Sequence, residues 1–148
     1  QEKSPDAWNP SERIFKSASF EELQGTAEGE VVKVYEAKEK DNLVGYILET
    51  ITDGYGGKTE VLVGITIDGK IQGIEIGENT RKNQYLASAF DTGLKNQFTN
   101  KIAQHIELVS GSPEKENDIQ AVSGATISSK SIVNAVNIAV NLFNKMEV

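Results

Sequence analysis

The 148-residue chain has no cysteine. Disulfides, thiolate zinc sites and iron–sulfur clusters are therefore excluded, while the compartment stays open. Its one histidine, His105, has no second imidazole to share a transition metal with. Sequence alone puts no Ser-His-Asp geometry around it, so it reads as a structural or surface residue. No apolar run approaches the ~18–20 residues that a membrane-spanning helix needs, and no signal peptide is visible. Basic charge is also short: 15 Lys and Arg stand against 22 Asp and Glu, for a net charge of −7. That balance argues against nucleic acid as a partner, because phosphates need a basic surface. It also argues against passive binding to anionic lipid. The remainder, 38% apolar and 25% charged, suits one globular domain with a sizeable core.

The organisation follows from local patterns. Residues 1–12 are polar, hold two of the three prolines and read as an arm or linker, with Trp8 as a packing anchor. Residues 13–148 form the domain. Gln1 is not a natural start residue, so an upstream piece is expected, and any membrane anchor is expected there. A short helix is expected over Arg13–Phe20, with Ser11 as its cap. Gly29 to Ile76 reads as a meander of about four antiparallel strands. Asp41-Asn42 marks one turn. Asp68-Gly69, between Glu60–Ile67 and Lys70–Ile76, marks a hairpin. Between them lies a glycine-rich loop, Thr52-Asp53-Gly54-Tyr55-Gly56-Gly57. Val61, Val63 and Ile65 alternate with Leu62, Gly64 and Thr66, so something must pack on each face of the sheet. Residues 80–105 read as an amphipathic helix through Leu86, Ala89, Phe90, Leu94 and Phe98, with a break at Gly93. Ile106–Val109 suggests a last strand, followed by a charged loop over Gly111–Asn117. Ile127–Met146 is the clearest helix: Ile132, Val136, Ala139, Phe143 and Met146 form its stripe, widened by Val133 and Val140. Asn134, Asn137, Asn141 and Asn144 line the other face. The fold class is α+β: an antiparallel meander with packed helices, a single domain and a long C-terminal helix.

The start of that helix is chemically distinctive. Residues 119–146 carry no Asp or Glu, although an even spread of 22 acids would place about four there. Helix N-termini ordinarily favour acids. Here Thr126, Ser128, Ser129, Lys130 and Ser131 follow Ser123-Gly124-Ala125. Small residues that admit a ligand, hydroxyls, one lysine and unpaired N–H groups suit a phosphate. Simple capping by Ser and Thr is the alternative reading. In the glycine-rich loop, Tyr55, Gly56 and Gly57 could let a flat ring lie on the backbone, or could form a plain turn. The Walker pattern is absent.

Ala121-Val122-Ser123-Gly124-Ala125-Thr126-Ile127-Ser128-Ser129, followed by an apolar helix, resembles the attachment segment of the FMN-binding domain family. Members include the G subunit of Rnf electron-transport complexes and the C subunit of sodium-translocating NADH:quinone reductase. Asp53 to Gly57 and the hairpin from Val61 to Ile76 resemble the same family, so the likeness covers roughly residues 40–146. It implies flavin mononucleotide (FMN) as cofactor, bonded through its phosphate to Thr126 by a separate flavin transferase. Ser123, Gly124, Ala125, Ser128, Ser129, Lys130, Tyr55, Gly56 and Gly57 are the implied cofactor contacts. It further implies an electron-carrying subunit of an ion-translocating membrane complex, not a stand-alone enzyme. Such a subunit has a single-pass N-terminal anchor and an extracytoplasmic domain. Two departures stand out. Gln120 occupies the position six residues before the threonine, where the family carries aspartate, and Asp118 is the nearest acid. Glu78-Asn79-Thr80-Arg81-Lys82-Asn83 replaces a Glu-Thr-Pro-Gly-rich loop. The competing reading is an extracytoplasmic domain that binds FMN, or another phosphorylated ligand, without a covalent bond.

Overall fold

The computed structural model describes residues 10–54 and 57–146. Trp8, Tyr55 and Gly56 lie outside the described residues, as does most of the expected arm. A five-stranded antiparallel sheet runs in sequence order: β1 (Ser19–Glu22), β2 (Val31–Glu39), β3 (Asn42–Gly54), β4 (Gly57–Thr66) and β5 (Ile71–Ile76). The expected meander is present, with β1 as an additional edge strand in place of the end of the expected first helix. The helix α1 spans only Pro10–Ile14, so it starts three residues before the expected Arg13–Phe20 and shares only Arg13 and Ile14 with it. Phe20 alternates with exposed neighbours in β1 and leaves helical periodicity nothing to read.

Turn chemistry fixes the hairpins. Lys40 and Asp41 both adopt positive φ, so the first turn lies one residue earlier than Asp41-Asn42. Asp41 is the kind of residue that tolerates this conformation. Gly69 has φ 87° and turns β4 into β5. The glycine-rich segment is tighter than a loop: β3 and β4 stay paired up to Gly54 opposite Gly57.

Both sheet faces are covered, as the double apolar alternation requires. One face carries Leu48, Val61, Val63, Ile74 and Ile76 in the main core. Against it pack α4 (Thr126–Met146) and the helical region after β5. The other carries Ile47 and Leu62 beneath Ile14 and Phe15. Glycines make room there. A Cβ on Gly45 would fall 2.5 Å from the Ile65 carbonyl oxygen and 2.6 Å from Phe15 Cζ.

The helix expected over 80–105 is broken into pieces: α2 (Glu78–Arg81), α3 (Gln84–Ala89), a π turn (Phe90–Leu94) and a 3-10 turn (Lys95–Gln97). Its apolar stripe is nonetheless buried, including Phe90, Leu94 and Phe98. The residues from Phe98 onward leave helical geometry. Lys70 instead bridges to Ile102. Strand β6 (Glu107–Val109) pairs in parallel with β7 (Asp118–Gln120), forming a small separate sheet.

Two asparagines of α4 do not face solvent alone. Asn137 accepts from Ile106 N–H at 2.7 Å and donates to Ile106 O at 2.9 Å. Asn144 donates to Ala103 O at 3.1 Å. These amides satisfy backbone groups that have no helical or sheet partner, which explains poor helix formers in the longest helix.

Candidate functional site

Helix α4 begins at Thr126, and its first helical bond runs from Ser129 N to Ala125 O at 2.9 Å. The N–H groups of Thr126, Ile127 and Ser128 therefore precede the ladder. Ala125 takes the capping position, where Ser, Thr, Asp or Asn is usual. Its methyl group cannot accept a hydrogen bond. The helix start thus presents donors and positive partial charge without an internal acceptor from that residue.

Thr126 is exposed and lines a cleft of about 640 Å³ with Gly124, Ala125, Ile127 and Ser128 on one side. Asn83 and Tyr85 complete the lining. The size suits a cofactor. Tyr85 is 64% exposed and Ile127 55%, which is unusual for side chains so apolar. Both line the cleft. The Tyr85 hydroxyl donates to Gly124 O, and Gly124 has φ 78°, a conformation suited to glycine.

The expected contacts separate into three groups. Gly124, Ala125, Thr126 and Ser128 meet in the cleft. Ser123 and Lys130 are exposed beside it, and Lys130 lies one helical turn beyond Thr126. Ser129 points inward instead: it is fully buried, donates to Ala125 O at 2.8 Å and accepts from Val122 N–H at 3.1 Å. Its hydroxyl clasps the turn before the helix. Ser129→Ala should cost about 1–3 kcal/mol, because a buried N–H loses its acceptor. Urea denaturation of the apo-domain measures this.

Gly57 lines a smaller pocket of about 330 Å³ with Lys58, Thr80 and Leu86, and Asn83 belongs to both pockets. The hairpin end also approaches α4: a Cβ on Gly54 would lie 3.3 Å from Ser131 Oγ. The glycine-rich hairpin and the helix start, far apart in sequence, are thus neighbours. Tyr55 and Gly56 lie outside the described residues. Tyr85, Asn83 and Ile127 were missed by sequence reasoning. The signal available was a tyrosine off the apolar stripe of its helix.

Asp118 serves the loop before β7 and not the start of α4. Its Oδ2 accepts from Glu114 N–H at 3.0 Å and Lys115 N–H at 2.9 Å. The backbone bonds from Lys115 and Glu114 hold its carboxyl below the ordinary aspartate value. The carboxylate therefore closes the loop between β6 and β7, while Gln120 is exposed. The stability Asp118 contributes is complete above the ordinary aspartate pKa, near 4. It is lost as pH falls through the lower native value. Asp118→Asn should remove that part of the acid sensitivity, as read by denaturant titrations at descending pH.

Among the described residues no group of His, Asp and Glu could hold a metal ion. No described helix is long and apolar enough to cross a membrane.

Comparison with known proteins gives the same address. Residues 54–141 match the FMN-binding domain. The G subunit of the Na(+)-translocating ferredoxin:NAD(+) oxidoreductase complex of Acetobacterium woodii is 36% identical over 141 residues, covering 93% of this chain and 66% of that protein. The G subunit of the proton-translocating ferredoxin:NAD(+) oxidoreductase complex of Clostridium ljungdahlii is 33% identical over 106 residues, covering 72% and 57%. The chain thus spans less than two thirds of either relative. The crystal structure of Shewanella oneidensis NqrC superposes with a TM-score of 0.51 at 14% identity, covering 89% of this chain and 70% of that one. It shares the fold. Match, fold and cleft agree: the chain belongs to the FMN-binding domain family, and FMN is its cofactor.

Proposed function

We propose that Thr126 carries FMN as a phosphoester and that the domain relays electrons within a membrane-bound, ion-translocating oxidoreductase complex. The observation that carries this reading is the exposed Thr126 hydroxyl at an acid-free helix start, lining a cleft of about 640 Å³. Relatives named as G subunits of ferredoxin:NAD(+) oxidoreductase complexes support the relay role.

The residues present suit the group. The free N–H groups of Thr126, Ile127 and Ser128 favour a phosphate and stabilise the charge that a phosphodiester retains. Ser128 and Lys130 add a hydroxyl and a cation beside it. Tyr85 and Ile127 offer apolar surface to a ring system. When bound, FMN supplies the electron-carrying chemistry, and the protein supplies orientation and tuning.

A threonine hydroxyl is a weak nucleophile without a base. The side chains lining the cleft, Asn83, Tyr85, Thr126, Ile127 and Ser128, include no carboxylate, histidine or lysine to act as one. Attachment therefore falls to a separate flavin transferase. The Thr126 Oγ1–phosphorus bond forms as the phosphoanhydride bond of a flavin dinucleotide donor breaks; the second nucleotide leaves as its monophosphate, and the hydroxyl proton passes to the transferase. The ester prevents loss of cofactor on the extracytoplasmic side, where an N-terminal single-pass anchor would hold the domain. Other subunits of the complex donate and accept the electrons.

Intact mass of the domain, produced with and without a flavin transferase, tests the reading. A mass increase of one FMN ester, only with the transferase and stable to denaturation, supports it. A yellow protein that loses its flavin on denaturation would favour non-covalent binding, and a colourless product a different ligand.

A further inference from the structure

The segment that leads into Thr126 is held from outside by one glutamine. Gln97 ends the 3-10 turn (Lys95–Gln97) and is half-buried. Its Nε2 donates to Gly93 O at 2.7 Å and to Gln120 O at 3.0 Å. Its Oε1 accepts from Gln120 N–H at 2.8 Å. The side chain thus reads both backbone groups of Gln120, as a neighbouring strand would.

Gln120 is the last residue of β7, where the attachment segment begins. The next residues are then fixed in turn. Ala121 N–H donates to Val109 O at 2.8 Å, and Ala125 N–H to Val122 O at 2.9 Å. Gly93 meets the segment at close range: a Cβ there would fall 2.7 Å from Val122 Cγ2. The π turn (Phe90–Leu94) therefore sits against Val122 while Gln97 grips Gln120. π turns recur at functional positions.

From this geometry we infer that Gln97 is a positioning residue for the cofactor-attachment segment, setting where Thr126 stands in the cleft. A capping role for the helical region needs only the bond to Gly93. The paired bonds to Gln120, 23 residues away, go beyond it. The consequence for the cofactor rests on the Thr126 reading, whereas the consequence for the backbone does not.

The test uses Gln97→Ala and Gln97→Glu. In the apo-domain, amide exchange across residues 120–125 should accelerate on the order of tenfold in Gln97→Ala, since local opening loses its restraint. Exchange in the middle of α4, at Val136 and Ala139, should not change. Gln97→Glu keeps size and the accepting oxygen but turns a carboxylate toward Gly93 O and Gln120 O. Its exchange rate relative to wild type should fall toward parity as pH drops and the carboxyl regains a donor. In the flavin-loaded protein, the attached mass should be unchanged, while fluorescence anisotropy of the flavin falls in Gln97→Ala. Unchanged exchange at 120–125, or an equal rise throughout α4, would overturn the inference. Should the wild-type domain accept no flavin, the Thr126 reading fails, and the exchange data still decide the role of Gln97.

Discussion

Thr126→Ala is expected to abolish covalent flavin completely and leave the fold intact. The two halves of this expectation have separate causes. The hydroxyl is the only atom of the side chain that can form the ester, so its removal leaves nothing to modify. The side chain is exposed, and its hydroxyl joins no hydrogen bond among the described residues. Surface substitutions of this kind stay within about 0.5 kcal/mol, and alanine is the better helix former. Flavin fluorescence on a denaturing gel should vanish while the thermal transition stays in place. Thr126→Ser should retain the fluorescence, because the oxygen remains at the helix start. A fluorescent Thr126→Ala band would place the bond elsewhere.

The largest stability effect is expected at the other end of the same helix. Phe143 is 2% exposed and meets Tyr46 edge-on, with ring centroids 6.2 Å apart and planes at 62°. Tyr46 lies on β3, so this contact anchors α4 to the sheet. Truncating a buried phenylalanine costs about 3–5 kcal/mol, the lost transfer energy plus the cavity. Domains of this size are stable by only about 5–15 kcal/mol, so Phe143→Ala should forfeit a large share. The urea midpoint should fall steeply with little change in slope. A loss below about 1 kcal/mol would mean that α4 is not packed as described. The consequence reaches the site, since the helix that Phe143 anchors also carries Thr126 at its first turn.

The sequence displayed some of this plainly. Ile132, Val136, Ala139 and Phe143 recur at helical spacing, and all are buried on one face. Asp68-Gly69 announced its hairpin, and Gly69 has the positive φ that a hairpin needs. The place of Thr126 at an exposed, acid-free helix start was legible because a helix start depends on neighbours in sequence. What stayed hidden depends on contacts made at long range. Ser129 looked like another phosphate-facing hydroxyl, yet helix phase turns it inward to Val122 and Ala125. Asn137 looked like a solvent-facing residue, yet it clasps Ile106 from 31 positions away. The stretch over 80–97 kept an amphipathic stripe through three kinds of helical turn, and periodicity cannot tell one helix from such a series. Tyr85 and Asn83 became cleft walls only through tertiary packing against Gly124 and Ala125.

The central claim is that one hydroxyl bears the cofactor. Protease digestion of the flavin-loaded wild-type domain, followed by fragmentation mass spectrometry, tests it most directly. A single flavin-bearing peptide is expected, with the added mass on Thr126. Flavin located on Ser123 or Ser128, or no modified peptide from a transferase proven active on a control domain, would contradict it.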